Sequence, residues 1–166
     1  ADFRWSLPPM LLVLALFGWV TGGFGALLDS TIRVNATMHN TQWVPGHFHF
    51  YLLLGVLAMT LGFIYHVIGD RAPQAVKPGA GRNVFLLYFV GALIFLFGFL
   101  DGGRVSVPRR MAEHLDAWVL TDQVGSIGGL LVLLAMIYFA AQLTVGLLRT
   151  RLPAGVSRVG AADAAG

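Results

Sequence analysis

Four long apolar runs restrict what this chain can fold into. The first covers residues 7–28 and carries no charged side chain. The others lie at about 44–68, 84–103 and 124–148, with the third purely apolar only as far as Leu100. The hydrocarbon core of a bilayer is crossed by about 20 residues of apolar helix. Without water to bond the backbone there, an open strand or loop is excluded. The runs therefore predict an all-α membrane protein with four transmembrane helices. Charged residues make up only 11% of the chain, against roughly 25% in soluble domains. No internal repeat or second domain is visible, so residues 1–166 read as one membrane domain. The tail, 149–166, is rich in Ala and Gly and is expected to be mobile.

Other features narrow the reading. With no cysteine, the chain holds no disulfide framework, thiolate metal site or iron–sulfur cluster of its own. The net charge of +3 gathers on no soluble basic face, so nucleic acid is not an expected partner, whereas lipid is. The N-terminus lacks an initiator methionine, and the run behind it is too long for a signal-peptide core, so it reads as a mature or excised start. Gly18 and Gly22, and later Gly125 and Gly129, stand at the small-xxx-small spacing that lets membrane helices approach.

Basic residues orient the bundle. With four spans, Arg4, Arg71, Lys77, Arg82, Arg149, Arg151 and Arg158 share one side. Arg33, Arg104, Arg109 and Arg110 share the other. The positive-inside rule places the richer side in the cytoplasm.

The stretch His39-Asn40-Thr41-Gln42-Trp43-Val44-Pro45-Gly46-His47-Phe48-His49 opens the second span at the outer face. Pro45 suits the first turn of a helix and Trp43 the membrane interface. Residues two apart on an α-helix point about 200° apart at nearly the same depth. His47 and His49 therefore do not share one metal, since same-face pairs lie three or four apart. Each is placed to hold a separate planar cofactor, and haem iron accepts such imidazole ligands. The plainer alternative is a histidine at the interface or bonded to a backbone carbonyl, although ionisable groups inside membranes are costly. A second constellation, Val107-Pro108-Arg109-Arg110-Met111, sets two adjacent guanidinium groups on the outer side. Their forks grip carboxylates. A solvated or lipid-phosphate-binding loop is the alternative there.

The histidine stretch resembles the signature of subunit I, the catalytic subunit of haem-copper oxygen reductases. The resemblance is to the B-type (ba-type) branch, written His-Asn-Thr-x-Trp-Val-Pro-Gly-His-Phe-His. Pro108-Arg109-Arg110 followed by Asp116-Ala117-Trp118 is similar to that family's Pro-Arg-Arg-Tyr…Pro-Asp-Ala-Tyr segment, with Met111 in place of the tyrosine. The chain would then be the last four helices of a twelve-helix core. The resemblance implies that His47 is the axial ligand of a high-spin haem and a catalytic residue, and that His49 is an axial ligand of a low-spin haem. His39 and Asn40 would lie at the propionates, which Arg109 and Arg110 would bind. The cofactors implied are two haems, of b and a type, and an active-site copper held by another chain.

The implied activity is reduction of dioxygen to water by a terminal oxidase of the cytochrome c oxidase type. Its electrons would come from a cytochrome c or a small copper protein. The partners implied are the remaining helices of subunit I on another polypeptide, and a subunit II with a copper centre. The setting is a prokaryotic cell membrane with the propionates facing outside. Two departures matter. Asn35 stands where the family commonly has an aspartate near the propionates. The copper histidines, the tyrosine joined to one of them and the second low-spin ligand lie outside this sequence. A nitric-oxide reductase of the same superfamily is the nearest rival. A non-catalytic dihaem electron-transfer subunit and a plain structural subunit are the others. His66 is too far along its helix to reach the same cofactors. His114 reads as a solvated loop residue, with a divalent cation as the less favoured alternative. Tyr51, Tyr65, Tyr88 and Tyr138 show no partner pattern.

Overall fold

The computed structural model describes residues 5–151. The helices are α1 (Leu7–Asp29), α2 (Ile32–Met38), α3 (Trp43–His49), α4 (Ala58–Arg71), α5 (Pro78–Arg104) and α6 (Val119–Arg151). A π-helical stretch, Phe50–Leu57, joins α3 to α4 without a break. Single 3-10 turns occur at Pro73–Ala75 and Asp116–Trp118. Four helical stretches are long and apolar enough to cross a membrane: Leu7–Asp29, Trp43–Arg71, Gly79–Arg104 and Asp116–Thr150. The molecule is an all-helical membrane protein. The mobile tail expected beyond residue 148 begins as helix through Arg151, and its remainder lies outside the described residues.

The third and fourth spans start earlier than their apolar runs. The third was expected from residue 84, but α5 begins at Pro78, where a missing N–H costs nothing. Polar residues beside a membrane still gain by keeping the backbone paired, so Gly79 to Asn83 continue the helix instead of forming a loop. The fourth was expected from residue 124 and begins at Val119, with Asp122 in its first turn on the favourable side of the helix dipole. The polar connection at 29–42 contains α2.

The core lies where α1, the π-helical stretch, α4, α5 and α6 meet. Leu11, Leu54, Ala58, Tyr88 and Ala92 are fully enclosed there. Close crossings depend on glycine. A Cβ on Gly18 would come 2.6 Å from the Leu54 side chain, and one on Gly98 would meet the Gly125 backbone at the same distance. α5 and α6 form the most extensive helix pair. Outward faces stay apolar, including Leu130, Leu133 and Ile137 on α6 and Leu16, Val20 and Phe24 on α1. Such faces suit lipid or further helices.

The π-helical stretch was not legible in the hydropathy. Its wider turn bonds residues five apart, so the Ala58 N–H reaches the Leu53 carbonyl. The buried Tyr88 hydroxyl on α5 donates to that same carbonyl at 2.6 Å. This bond ties α5 to the stretch immediately following His49.

Candidate haem-binding site

His47 and His49 leave α3 toward different neighbours. The His47 ring faces α1, with Nε2 donating to the Gly22 carbonyl at 2.8 Å. A Cβ at Gly25 would lie 2.6 Å from His47 Cδ2, so glycine makes the space this ring occupies. Tyr51 packs its ring edge-to-face on His47 at 5.4 Å between centroids. His47 Nδ1 lies 3.4 Å from Asp29 Oδ2.

The His49 ring faces α5. Phe99 stacks on it with an interplanar angle of 11°, and Phe95 meets it edge-on at 5.0 Å. His49 Nδ1 donates to the Pro45 carbonyl one turn back, at 2.5 Å. A carbonyl only accepts, so the hydrogen sits on Nδ1 and the lone pair on Nε2. That is the tautomer an Nε2 metal ligand requires.

The outer end is assembled by a short antiparallel pairing. Thr41 and Pro108 form an isolated bridge. Gln42 N–H donates to the Val107 carbonyl, and Arg109 N–H donates to the Asn40 carbonyl, each at 2.9 Å. Ser106 and Arg110 flank this segment with φ of 60° and 65°. That left-handed region is uncommon for residues with side chains and requires support from its surroundings. The two sequence motifs thus meet: His39 and Asn40 lie beside Arg109 and Arg110. Among the described residues, neither arginine forms an ion pair with a carboxylate. His39 Nδ1 donates to Asn35 Oδ1 at 3.1 Å across one turn of α2.

A polar group outside both motifs joins this end. His114 was expected to be solvated, but its side chain is only 19% exposed and its Nδ1 donates to Asp122 Oδ2. The other Asp122 oxygen accepts from Gln42 Nε2 at 3.0 Å. Anchoring by a helix-borne carboxylate, which hydropathy does not report, keeps His114 half-buried. Among the described residues no three metal-ligating side chains converge, at His114 or elsewhere. His66 pairs with Asp70 at 3.5 Å on an exposed face, remote from these groups.

Sequence reasoning passed over Asp29, Phe95 and Phe99, and it gave Tyr51 no partner although Tyr51 stands four residues after His47 and packs on it. Spacing gave no signal for the first three, because they reach the histidines across helix interfaces. Asp29 alone carried a hint, as the charge that ends the first apolar run.

The family profile described as Cytochrome C and Quinol oxidase polypeptide I matches residues 1–131. The chain belongs to this family. It is similar to cytochrome c oxidase subunit 1 of Thermus thermophilus, with 30% identity over 159 residues, covering 90% of this chain and 28% of that one. It is also similar to cytochrome c oxidase subunit 1 of Cereibacter sphaeroides, with 31% identity over 132 residues, covering 79% of this chain and 23% of that one. A shorter Thermus thermophilus relative, also cytochrome c oxidase subunit 1, is 30% identical over 98 residues and is 91% covered. The chain therefore spans about a quarter of the two longer relatives. The fold is similar to a heme-copper terminal oxidase dimer solved by cryo-EM, with a TM-score of 0.74 and 22% identity. That match covers 89% of this chain and 27% of the other.

The donor set of this chain fits the haems that such a family implies. Two imidazoles stand on opposite sides of one helix. His49 is held through Nδ1 by the Pro45 carbonyl, and His47 is seated against Gly22 and Gly25. The guanidinium pair lies at the same end of the bundle.

Proposed function

We propose that this chain is the C-terminal four-helix part of the catalytic subunit of a B-type terminal oxidase that reduces dioxygen to water. The observation that carries the reading is the divergence of His47 and His49 from one helix toward α1 and α5. His49 holds the low-spin haem through Nε2, with its ring fixed by the Pro45 carbonyl and the Phe95 and Phe99 rings. His47, lodged against Gly22 and Gly25 of α1, would hold the high-spin haem. The haems, when bound, supply one-electron transfer and dioxygen chemistry.

The chain's own groups then orient and tune. The pairing of residues 40–42 with 107–109 sets His39, Asn40, Arg109 and Arg110 at one rim, suited to propionates. Carboxylates at the edge of a low-dielectric bundle are costly unless paired, and planar guanidinium forks offset that cost. Copper, its histidines, the second low-spin ligand and a copper-bearing subunit II belong to residues outside this sequence. A cytochrome c or small copper protein delivers electrons at the outer face of a prokaryotic cell membrane. The test is a carbon monoxide difference spectrum with metal analysis of the purified complex. The reading expects one carbon monoxide-reactive haem, one unreactive haem and copper. Non-haem iron in place of copper would move the assignment to a nitric-oxide reductase.

A further inference from the structure

We infer that the end of the bundle opposite His47 and His49 holds a binding site for the phosphate headgroup of an anionic phospholipid. A cavity of about 370 Å³ lies there between the last turns of α6, the start of α5 and the 3-10 turn Pro73–Ala75. A Cβ at Gly146 would meet the Ala75 carbonyl, so glycine lets that turn close against α6. Lys77 and Arg149 both line the cavity, and among the described residues no carboxylate does. Nor does either cation form an ion pair among those residues. Asp70, at the end of α4, is turned to His66 at 3.5 Å. Two guanidinium and ammonium charges thus share one cavity without a counter-charge. Lys77 is also the N-cap of α5, whose first turn carries no acidic residue to meet the helix dipole.

An unpaired amide is the second observation. Gln142 Nε2 lines the same cavity, is enclosed, and has no acceptor among the described residues. A buried donor without a partner costs stability. A phosphate oxygen is an acceptor of the kind it lacks. Solvated cations at a membrane rim require neither a cavity nor an enclosed amide. The remaining wall favours a lipid over free phosphate. Tyr138, Ala141 and Val145 line the cavity at helical spacing and are exposed on the outward face of α6. Leu134 continues that face toward the middle of the span. Acyl chains lie along this stripe while the phosphate sits among Lys77, Arg149 and Gln142. Basic pockets between membrane helices on the cytoplasmic side suit anionic headgroups, and the basic residues assign this end to the cytoplasm.

The experiment uses the assembled complex, purified in mild detergent and stripped of bound lipid. Native mass spectrometry reads binding of phosphatidylglycerol, with phosphatidylcholine of the same chains as the zwitterionic control. Phosphatidylglycerol is expected to bind in preference and to raise the melting midpoint. Lys77→Gln and Arg149→Gln should each weaken its binding about fivefold, the worth of one cation near an anionic headgroup. Gln142→Leu leaves the net charge unchanged. It should melt at or above the wild type without lipid, because the unpaired amide is gone, and bind phosphatidylglycerol about tenfold more weakly. General attraction of a basic rim to anionic lipid would leave Gln142→Leu at wild-type affinity. That result overturns the site, as does equal binding of the two lipids by the wild type. Wild-type affinity in both cation variants overturns it too. Should those variants fail to assemble, Gln142→Leu and the two-lipid comparison decide alone. Inorganic phosphate that stabilises the stripped complex as much as phosphatidylglycerol overturns the lipid assignment, and so does a polypeptide segment filling the cavity in the assembled complex.

Discussion

Gly128→Ala tests whether the α5–α6 seam holds the His49 pocket. A Cβ at Gly128 would lie 2.2 Å from the Phe95 nitrogen, 2.6 Å from its Cα and 2.8 Å from the Gly91 carbonyl. All three are backbone atoms, so no side chain can rotate away. Ordinary contact begins near 3.4 Å, so the backbones must part by about 1.2 Å. A gap of 0.5–1 Å already forfeits about a quarter to a half of each dispersion contact along the seam. Overpacking of this kind costs about 1–3 kcal/mol. The backbone character of the clash places this case in the upper half of that range. The displaced residue is Phe95, whose ring touches His49. Gly128→Ala is therefore expected to lower the thermal midpoint of the assembled complex in mild detergent. The low-spin haem absorbance should be the first signal lost. Gly79→Ala is the control, because nothing lies within 4 Å of where its methyl group would stand. It should be neutral or slightly stabilising, by up to about 1 kcal/mol, as Gly→Ala is in a helix. A Gly128→Ala complex that melts with the wild type refutes the close-seam account.

Other outcomes follow from single contacts. Tyr88→Phe removes the hydroxyl bonded to the Leu53 carbonyl without changing ring packing, and should cost about 0.5–1.5 kcal/mol of stability. The same melting assay checks it. Arg110→Gln should lower at least one haem reduction potential, on the order of tens of millivolts, because removing a positive charge disfavours adding an electron. Arg110→Lys should be milder but not silent, since the charge stays and the planar fork is lost. Redox titration decides both. Asp122→Asn removes the charge facing His114 and should loosen the loop before α6, read as faster amide exchange at residues 114–118.

The architecture was legible because a bilayer admits few solutions. Four apolar runs are enough to require four helices, and Pro8 and Pro9 stand in the first turn of the first of them. Boundaries were less legible, since hydropathy reports the solvent beside the helix and not the hydrogen bonding within it. Hence α5 and α6 begin before their apolar runs. The stretch from Phe50 to Leu57 has apolar composition that fits any helical period, so its π register depends on Tyr88 and on the crossing with α1. At the candidate site, the divergence of His47 and His49 was expected from their two-residue spacing on one helix. Local geometry of that kind survives without tertiary information. Asp29, Phe95 and Phe99 were missed because they reach the same rings from elsewhere in the chain. His114 was misread for the same reason: its partner, Asp122, belongs to the next helix.

The central claim is that one helix holds two haems through His47 and His49, each on its own side. The most direct measurement is the paired optical and paramagnetic resonance spectra of the assembled His49→Ala and His47→Ala complexes. The account predicts that His49→Ala loses the low-spin signal and keeps a carbon monoxide-reactive haem. It predicts that His47→Ala loses the carbon monoxide-reactive haem together with turnover and keeps the low-spin signal. An assembled His49→Ala complex with an unchanged low-spin spectrum, or a His47→Ala complex that binds carbon monoxide as the wild type does, contradicts it.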